Sequence, residues 1–439
     1  MRAVTFEGGI HPDYEKDLAA SEPTKTSTLP PRIVLPMSQH LGAPCKPVVA
    51  KGDKVKAGQL VAEAGGFVSA PIHASVSGKV LSVGEHPHPT GVELPAVVIE
   101  PDAQDEWDLM DPIDEPLSAA PAELKERIKD AGLVGMGGAA FPSHVKLSPP
   151  KDRPIDAVLV NGAECEPYLT ADDRLMREEP VKILKGLQVV LRVLGVEKGA
   201  VGVEVNKPEA LKSMEEAGEG FSEIRVQPLA VKYPQGGEKQ LIEAVLDREV
   251  PAGGLPMDCG VVVFNVGTCA GIHDAVYEGR PFVRRRTTVT GYAVKNPSNF
   301  LVRLGTPVSH LIEQCGGFTH EPGKVILGGP MMGMAAHSLE VPVVKGTSGI
   351  LAQTKQEVLG GSFGPCIRCG MCVRACPVRL TPNELGNYAE KAMWEKVESL
   401  DLMDCIECGC CTYVCPAYRP LVQFIRRGKA EARVRKAKK

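Results

Sequence analysis

The chain has 439 residues, of which 43% are hydrophobic and 24% charged, with a formal net charge of −4. That length exceeds one ordinary core and implies three or four domains. The near-balanced charge gives no sign of nucleic acid, and no stretch reaches the roughly 18 apolar residues of a membrane span. The opening residues Met1-Arg2-Ala3-Val4-Thr5-Phe6 lack a long apolar core and a small-residue cleavage site. No signal peptide is therefore expected, and the chain reads as cytoplasmic.

Residues 1–30 are mixed and turn-rich, closing at Leu29-Pro30-Pro31. From 31 to 100 the text becomes short β-like pieces with regular turns, as in Lys51-Gly52-Asp53-Lys54-Val55 and Ser75-Val76-Ser77-Gly78-Lys79-Val80. This style resembles the barrel-sandwich hybrid of biotinyl and lipoyl carrier domains. Those carriers present a lysine at a hairpin tip, whereas here the corresponding stretch is Ala64-Gly65-Gly66-Phe67. A structural or docking role is expected instead. Residues 101–120 are acidic and proline-containing, and read as a linker.

Between 121 and 282 helical segments alternate with β runs. Pro121–Asp130 has helical periodicity, with proline suited to a first turn. The β runs are Ala157–Val160, Gly199–Val205 and Gly260–Phe264, and such alternation argues for an α/β domain with a largely parallel sheet. Inside it lies Gly135-Met136-Gly137-Gly138-Ala139-Ala140-Phe141-Pro142. Glycines there allow close backbone approach to a phosphate or a flat ring. A tight structural turn explains the run equally well, and it is not the Rossmann G-x-G-x-x-G opened by a strand. Lys146 follows, and Asn161-Gly162-Ala163-Glu164-Cys165-Glu166-Pro167 leaves a strand at the usual ligand-facing end. Alone, Glu164 and Glu166 read as a solvated acidic turn. Tyr233-Pro234-Gln235-Gly236-Gly237-Glu238 and Phe264-Asn265-Val266-Gly267-Thr268 come next. Residues 283–345 look like a smaller α+β unit, with strands at 283–290 and 324–327 and a helix at 308–315.

Nine of the fourteen cysteines fall between Cys366 and Cys415, in two copies of one pattern. A disulfide framework suits a short secreted chain, so metal is the better reading. The first copy places Cys366, Cys369, Cys372 and Cys376 before Pro377, and the second places Cys405, Cys408, Cys411 and Cys415 before Pro416. Both match the C-x2-C-x2-C-x3-C-P run of two-cluster ferredoxins. Zinc knuckles are the alternative, but zinc sites pair separate C-x2-C units, often with histidine, and this region has no histidine. Residues 346–420 are thus read as a domain with two [4Fe–4S] clusters. The fourth cysteine of each run is expected on the other cluster, giving Cys366, Cys369, Cys372 and Cys415 to one cube and Cys405, Cys408, Cys411 and Cys376 to the second. Cys410 is expected to point away from the cube. The scattered Cys45, Cys165, Cys259, Cys269 and Cys315 read as buried small apolar residues. The end, 421–439, is a basic tail, with eight Lys or Arg and one Glu over 426–439. It is expected either to be solvated or to dock on anionic lipid or an acidic partner.

The four segments of the α/β domain, in their order, resemble the flavin- and NADH-binding subunit of respiratory complex I, whose loop has the form G-x-G-G-A-x-F-P-x-x-x-K. With the carrier-like N-terminal region and the paired cysteine motif, the chain resembles the C subunit of the Rnf ion-translocating oxidoreductases over roughly residues 1–420. The resemblance implies a Rossmann-like FMN/NADH domain and an SLBB β-grasp unit at 283–345. It implies Gly135, Gly137, Gly138, Lys146 and Asn161 around FMN, with Glu164 and Glu166 nearby. Tyr233 and Glu238 would lie beside flavin and nucleotide, and Asn265 on the flavin side. The chain departs from the complex I pattern at Ala163, where an acid is usual, and at Gly237, where a second glutamate is usual.

Nicotinamide exchanges two electrons as hydride and a cubane moves one, so FMN links the two. The implied cofactors are FMN and two [4Fe–4S] clusters, with NAD(H) as substrate and no general acid or nucleophile. The implied partners are integral membrane and iron–sulfur subunits of the same complex, with ferredoxin reached indirectly, on the cytoplasmic face of the membrane. Two other readings stand beside this one. One is a soluble flavin and iron–sulfur reductase similar to cobalamin reductases, the other an electron-wire docking subunit with an empty flavin site.

Overall fold

The computed structural model describes residues 2–358 and 361–437. Its centre is a four-stranded parallel sheet in the order Ile224–Leu229, Gly199–Glu204, Ala157–Gly162, Val261–Asn265. Gly199–Glu204 and Val261–Asn265 are buried throughout, as expected of strands covered on both faces. Pro121–Asp130, Pro180–Leu194 and Val266–Tyr277 pack on the sheet through Leu124, Ile128, Leu187, Val190, Cys269 and Ile272. The strand Ile224–Leu229 was not expected. It carries Arg225, Gln227 and Pro228, which suit the edge position it takes.

Two antiparallel sheets make the N-terminal barrel. One runs Ile33–Pro36, Glu93–Pro101, Gly78–Pro87, Lys54–Val55, and the other Lys46–Pro47, Leu60–Glu63, Ile72–His73. Its core of Ile33, Leu35, Val61, Ile72, Val97 and Ile99 is continuous with Val289, Phe300, Val302 and Ile350 of the next unit. The expected hairpin tip does dock: Phe67 stands edge-on to His144, and the His144 ring pairs with the Phe67 carbonyl at 3.1 Å. The stretch 101–120 is irregular yet fastened. Trp107 bridges to Ala57 and lies under Arg280 and Arg303, and Arg303 pairs with Asp105 at 2.7 Å.

The third sheet has the order Lys25–Thr26, Ser298–Arg303, Arg284–Thr290, Gly349–Gln353, Lys324–Leu327, Met334–Ala335. It extends past both boundaries expected for this unit. Gly349–Gln353 is a central strand, parallel to Arg284–Thr290, and Lys25–Thr26 joins from the N-terminal segment. Both pairings link residues far apart in sequence, so local periodicity carries no trace of them.

Lys345 ties the units together. It is fully buried, and its Nζ donates to Pro71 O of the barrel (2.7 Å) and to Gly132 O just before the glycine loop (2.6 Å). Burial pushes Lys345 down to about 7. The folded value lies below the ordinary one of 10.5, so between those two pH values the unfolded chain binds more protons and stability rises with pH. Nearby His40 and His73 are also pushed down by burial, and His73, at about 3, stays neutral across that window. Burial pushes the Cys45 thiol up. Lys345→Met is therefore expected to flatten the rise in thermal unfolding temperature between pH 7 and 10. Parallel slopes for variant and wild type would reject this assignment.

The basic tail is a helix over Leu421–Ala437, and residues 438–439 of the expected tail lie outside the described residues. Leu421, Val422 and Ile425 are buried, Ile425 against Leu385, Val397 and Leu402 and Leu421 against Cys372 and Cys411, each worth roughly 1.5–3 kcal/mol. Lys429 pairs with Glu407 at 3.0 Å and donates to Cys405 O, and Arg426 pairs with Glu407 at 2.9 Å. Arg427 lies over the Trp394 ring, so much of the positive charge is answered within its own domain, which leaves Arg433 and Lys436 exposed. Deleting 426–439 is expected to lower the thermal stability of this domain and its iron content. Unchanged iron and melting would restore the solvated tail.

Candidate flavin and iron–sulfur sites

The order of the central sheet reverses between Ala157–Gly162 and Val261–Asn265, and open α/β sheets bind ligands beyond the strand ends at such a point. Asn161 and Asn265 are register partners there. Asn161 donates through Nδ2 to Gly236 O (2.7 Å) and accepts from Ala163 N (3.0 Å), which draws the 233–238 segment against the strand end. Asn265 caps Val266–Tyr277 by accepting from Gly267 N (2.8 Å), and it donates to the Asp172 carboxylate (2.6 Å).

The glycine loop projects between Val134 and Pro142, which bridge each other, and is pinned by Met136 N donating to Thr268 Oγ1 (3.0 Å). Gly135 N donates to Phe141 O at 2.8 Å and closes its base. Gly137, Gly138 and Ala139 are exposed. The two glycines serve different ends. A Cβ on Gly137 would stand 2.9 Å from Asn265 Nδ2, whereas one on Gly138 would meet nothing within 4 Å. Lys146 lies beyond the loop, paired with Glu238 at 2.7 Å and donating to Val263 O at 3.0 Å. An exposed glycine crest with free space beside it, asparagines at the strand ends and a nearby lysine fit a flavin and its phosphate.

Glu164 and Glu166 are enclosed, unlike a solvated acidic turn. Glu164 caps Ala171–Glu178, accepting from Asp172 N (2.7 Å) and Asp173 N (3.0 Å). Glu166 accepts from Met331 N (3.1 Å) and Met332 N (2.8 Å) of the third-sheet unit. Burial pushes Glu166 up to about 7 and also raises Glu164. Tyr233 is 1% exposed, and its hydroxyl donates to Cys408 O at 2.8 Å. Its side chain thus faces the cysteine domain.

Two supports escaped sequence reasoning. Lys16 donates to the carbonyls of Glu164 (2.8 Å), Glu166 (3.1 Å) and Leu169 (2.7 Å), and burial lowers its pKa. Buried Arg285 reaches Lys345 O and, at 3.5 Å, Met136 O beneath the glycine loop. Neither lies in a motif; only a long-range pairing could have pointed to them.

The cysteines gather in the crossed arrangement. Cys366, Cys369, Cys372 and Cys415 line one pocket. Cys376 lies beside Cys405 and Cys408, and Cys411 is within electrostatic reach of all three. Gly370 and Gly409 turn the two loops with φ of +72° and +83°, values that glycine adopts freely. Tetrahedral zinc at 2.3 Å would bring its thiolates to about 3.8 Å apart. Among the described residues, only His273, Asp274 and Glu278 place three such ligand atoms within 4.8 Å of one another. Both cysteine sets are therefore spread wider than zinc requires, which fits a cubane. Cys410 is buried with its thiol near Tyr233 O (3.9 Å) and against Cys408. Cys45, Cys165, Cys269 and Cys315 are buried, while Cys259 is half-exposed and donates to Pro256 O.

Family profiles match in four places: an RnfC barrel sandwich hybrid domain at 4–104, a Nuo51 FMN-binding domain at 128–274, an SLBB domain at 286–335 and a 4Fe-4S dicluster domain at 365–418. The chain is 50% identical over 433 residues to the C subunit of the proton-translocating ferredoxin:NAD(+) oxidoreductase complex of Clostridium ljungdahlii, covering 98% of this chain and 94% of that one. It is 51% identical to the C subunit of the Na(+)-translocating complex of Acetobacterium woodii, covering 97% of each. It is 45% identical to the C subunit of the ion-translocating oxidoreductase complex of Rhodobacter capsulatus, covering 100% of this chain and 85% of that one. Among solved structures, the NAD+-reducing [NiFe]-hydrogenase in the H2-reduced state shares the fold, with a TM-score of 0.51 and 17% identity over 72% of this chain and 64% of that one. The middle domain is thus an FMN-binding domain and the C-terminal one a [4Fe–4S] dicluster domain, and the chain belongs to the RnfC family of ion-translocating ferredoxin:NAD(+) oxidoreductase complexes.

Proposed function

We propose that this chain is the peripheral subunit at which NAD(H) exchanges electrons with its complex, through FMN at the glycine loop and two [4Fe–4S] clusters on the crossed cysteine sets. FMN bound there would supply the conversion between two-electron hydride chemistry and the single-electron steps of the clusters. The observation that carries this reading is a shared wall. The 233–240 segment touches Asn161 at the crevice through Gly236, and touches the cysteine domain through Tyr233 to Cys408 and Gln240 to Pro377 O (3.1 Å).

In this reading Gly135, Gly137 and Gly138 form the crest that the flavin approaches, Gly137 by letting the loop pack on Asn265 and Gly138 by leaving the ligand room. Lys146 supplies positive charge, with Glu238 as its counter-charge. Asn161 and Asn265 fix the strand ends, and Glu164 and Glu166 hold the loop that follows through backbone amides. No helix among the described residues is long and apolar enough to cross a membrane. Ion movement then falls to integral membrane subunits, with this chain on their cytoplasmic side and ferredoxin reached through iron–sulfur partners. Relatives named for proton and for sodium translocation are 50% and 51% identical to this chain, so overall similarity in this subunit does not follow the ion. The test is cofactor analysis of anaerobically purified protein followed by NADH titration. Stoichiometric FMN bleached by NADH is expected, and flavin-free protein would leave only the electron-wire reading.

A further inference from the structure

Tyr233 packs with Ile10, Cys165, Ala375, Cys408 and Cys410 in a buried cluster between the flavin-binding and cysteine domains. Its backbone is fixed on both sides, with Ile10 N donating to Tyr233 O (2.8 Å) and Tyr233 N to Ile10 O (2.9 Å). Its phenol meets the carbonyl of Cys408, a residue of the set completed by Cys376, Cys405 and Cys411. Toward the crevice, Gly236 donates to Cys165 Sγ (3.2 Å) and accepts from Asn161 (2.7 Å). The other set faces outward, where Cys369 is exposed and Ile367 is 66% exposed. One cysteine set is therefore inner, against the flavin-binding domain, and one outer.

Resting on the function proposed above, we propose that Tyr233 is a positioning residue for the inner cluster: its hydroxyl locks the Cys408 turn against the wall of the flavin crevice. With FMN and both clusters bound, the inner set would hold the cluster that exchanges single electrons with the flavin, and the Tyr233 contact would make or break no bond. The hydroxyl donates to the Cys408 carbonyl and not to a sulfur, so it holds the ligand turn in place and offsets the negative end of a carbonyl dipole that would otherwise disfavour the more negative, reduced cluster. The Cys410 thiol lies in the same buried cluster and is directed at Tyr233 O (3.9 Å), so it packs against the same wall.

The test is Tyr233→Phe, which keeps the ring and removes only the hydroxyl, in the full chain purified anaerobically with its cofactors. Electron paramagnetic resonance during a dithionite redox titration reads the two clusters separately. The inner signal is expected to change shape and shift to more negative potential, with the outer signal and FMN content as in wild type. After mixing with NADH, the inner signal should rise more slowly. An unshifted inner signal overturns the proposal, as does an equal shift of both clusters. Loss of FMN with both signals unaltered also overturns it, since the hydroxyl would then serve the flavin. Failure of the broader functional reading shows separately, as wild-type protein without FMN or unresponsive to NADH.

Discussion

Cys376→Ser is expected to remove or alter the cluster held by Cys405, Cys408 and Cys411 and to leave the one at Cys366, Cys369 and Cys372 in place. Three thiolates on one loop cover three irons, and the segment leaving the loop carries the fourth thiolate across to the neighbouring cube. The structure supplies the reach. Cys415 completes the pocket lined by Cys366, Cys369 and Cys372, while Cys376 sits with the second set. The two sets adjoin through Cys372, Cys411 and Leu421, so each fourth ligand crosses a short apolar seam. Total iron should fall by about half if the serine cannot hold its cube. Its resonance spectrum should match that of Cys405→Ser. A spectrum matching Cys366→Ser would mean that each motif ligates its own cluster.

What the sequence made legible was local. The cysteine spacing names its ligands because every element of the motif lies within one loop and the turn after it. The strands Ala157–Gly162 and Val261–Asn265 were readable because buried parallel strands are written as apolar runs. The glycine loop was readable as a loop, but not that Gly137 answers to Asn265 while Gly138 answers to open space. Most of the misses are non-local. Gly349–Gln353 pairs with a strand some sixty residues earlier, as in Thr288 opposite Gly349. Lys16 holds carbonyls about 150 residues away, and nothing in its own neighbourhood marks it. The terminal helix was hidden by its charge, since its apolar face is confined to the first turns around Leu421, Val422 and Ile425. Tyr233 shows the divide within one motif, whose position was legible while the direction of its hydroxyl depended on a domain that begins more than a hundred residues later.

Gly138→Val separates ligand binding from folding more cleanly than any other change in the loop. The added Cβ would meet no heavy atom within 4 Å, and Gly138 is not among the glycines held at positive φ, so valine fits the protein itself. An exposed substitution of this kind shifts stability by only about 0.5 kcal/mol. Gly137→Ala would be a poorer test, because its Cβ would stand 2.9 Å from Asn265 Nδ2 and disturb the strand end directly. With valine at 138 the β-branched side chain occupies the space into which the loop opens, so its cost falls on whatever binds there. FMN affinity is expected to fall tenfold or more, equivalent to about 1.4 kcal/mol or greater. Both clusters should remain, because the 233–240 wall and its contacts to Cys408 and Pro377 lie elsewhere. The purified variant should keep its iron and both resonance signals, lose flavin absorbance, and no longer be reduced by NADH, while dithionite still reduces the clusters. If FMN occupancy instead equals that of wild type, the glycine loop is a structural turn and the flavin lies elsewhere.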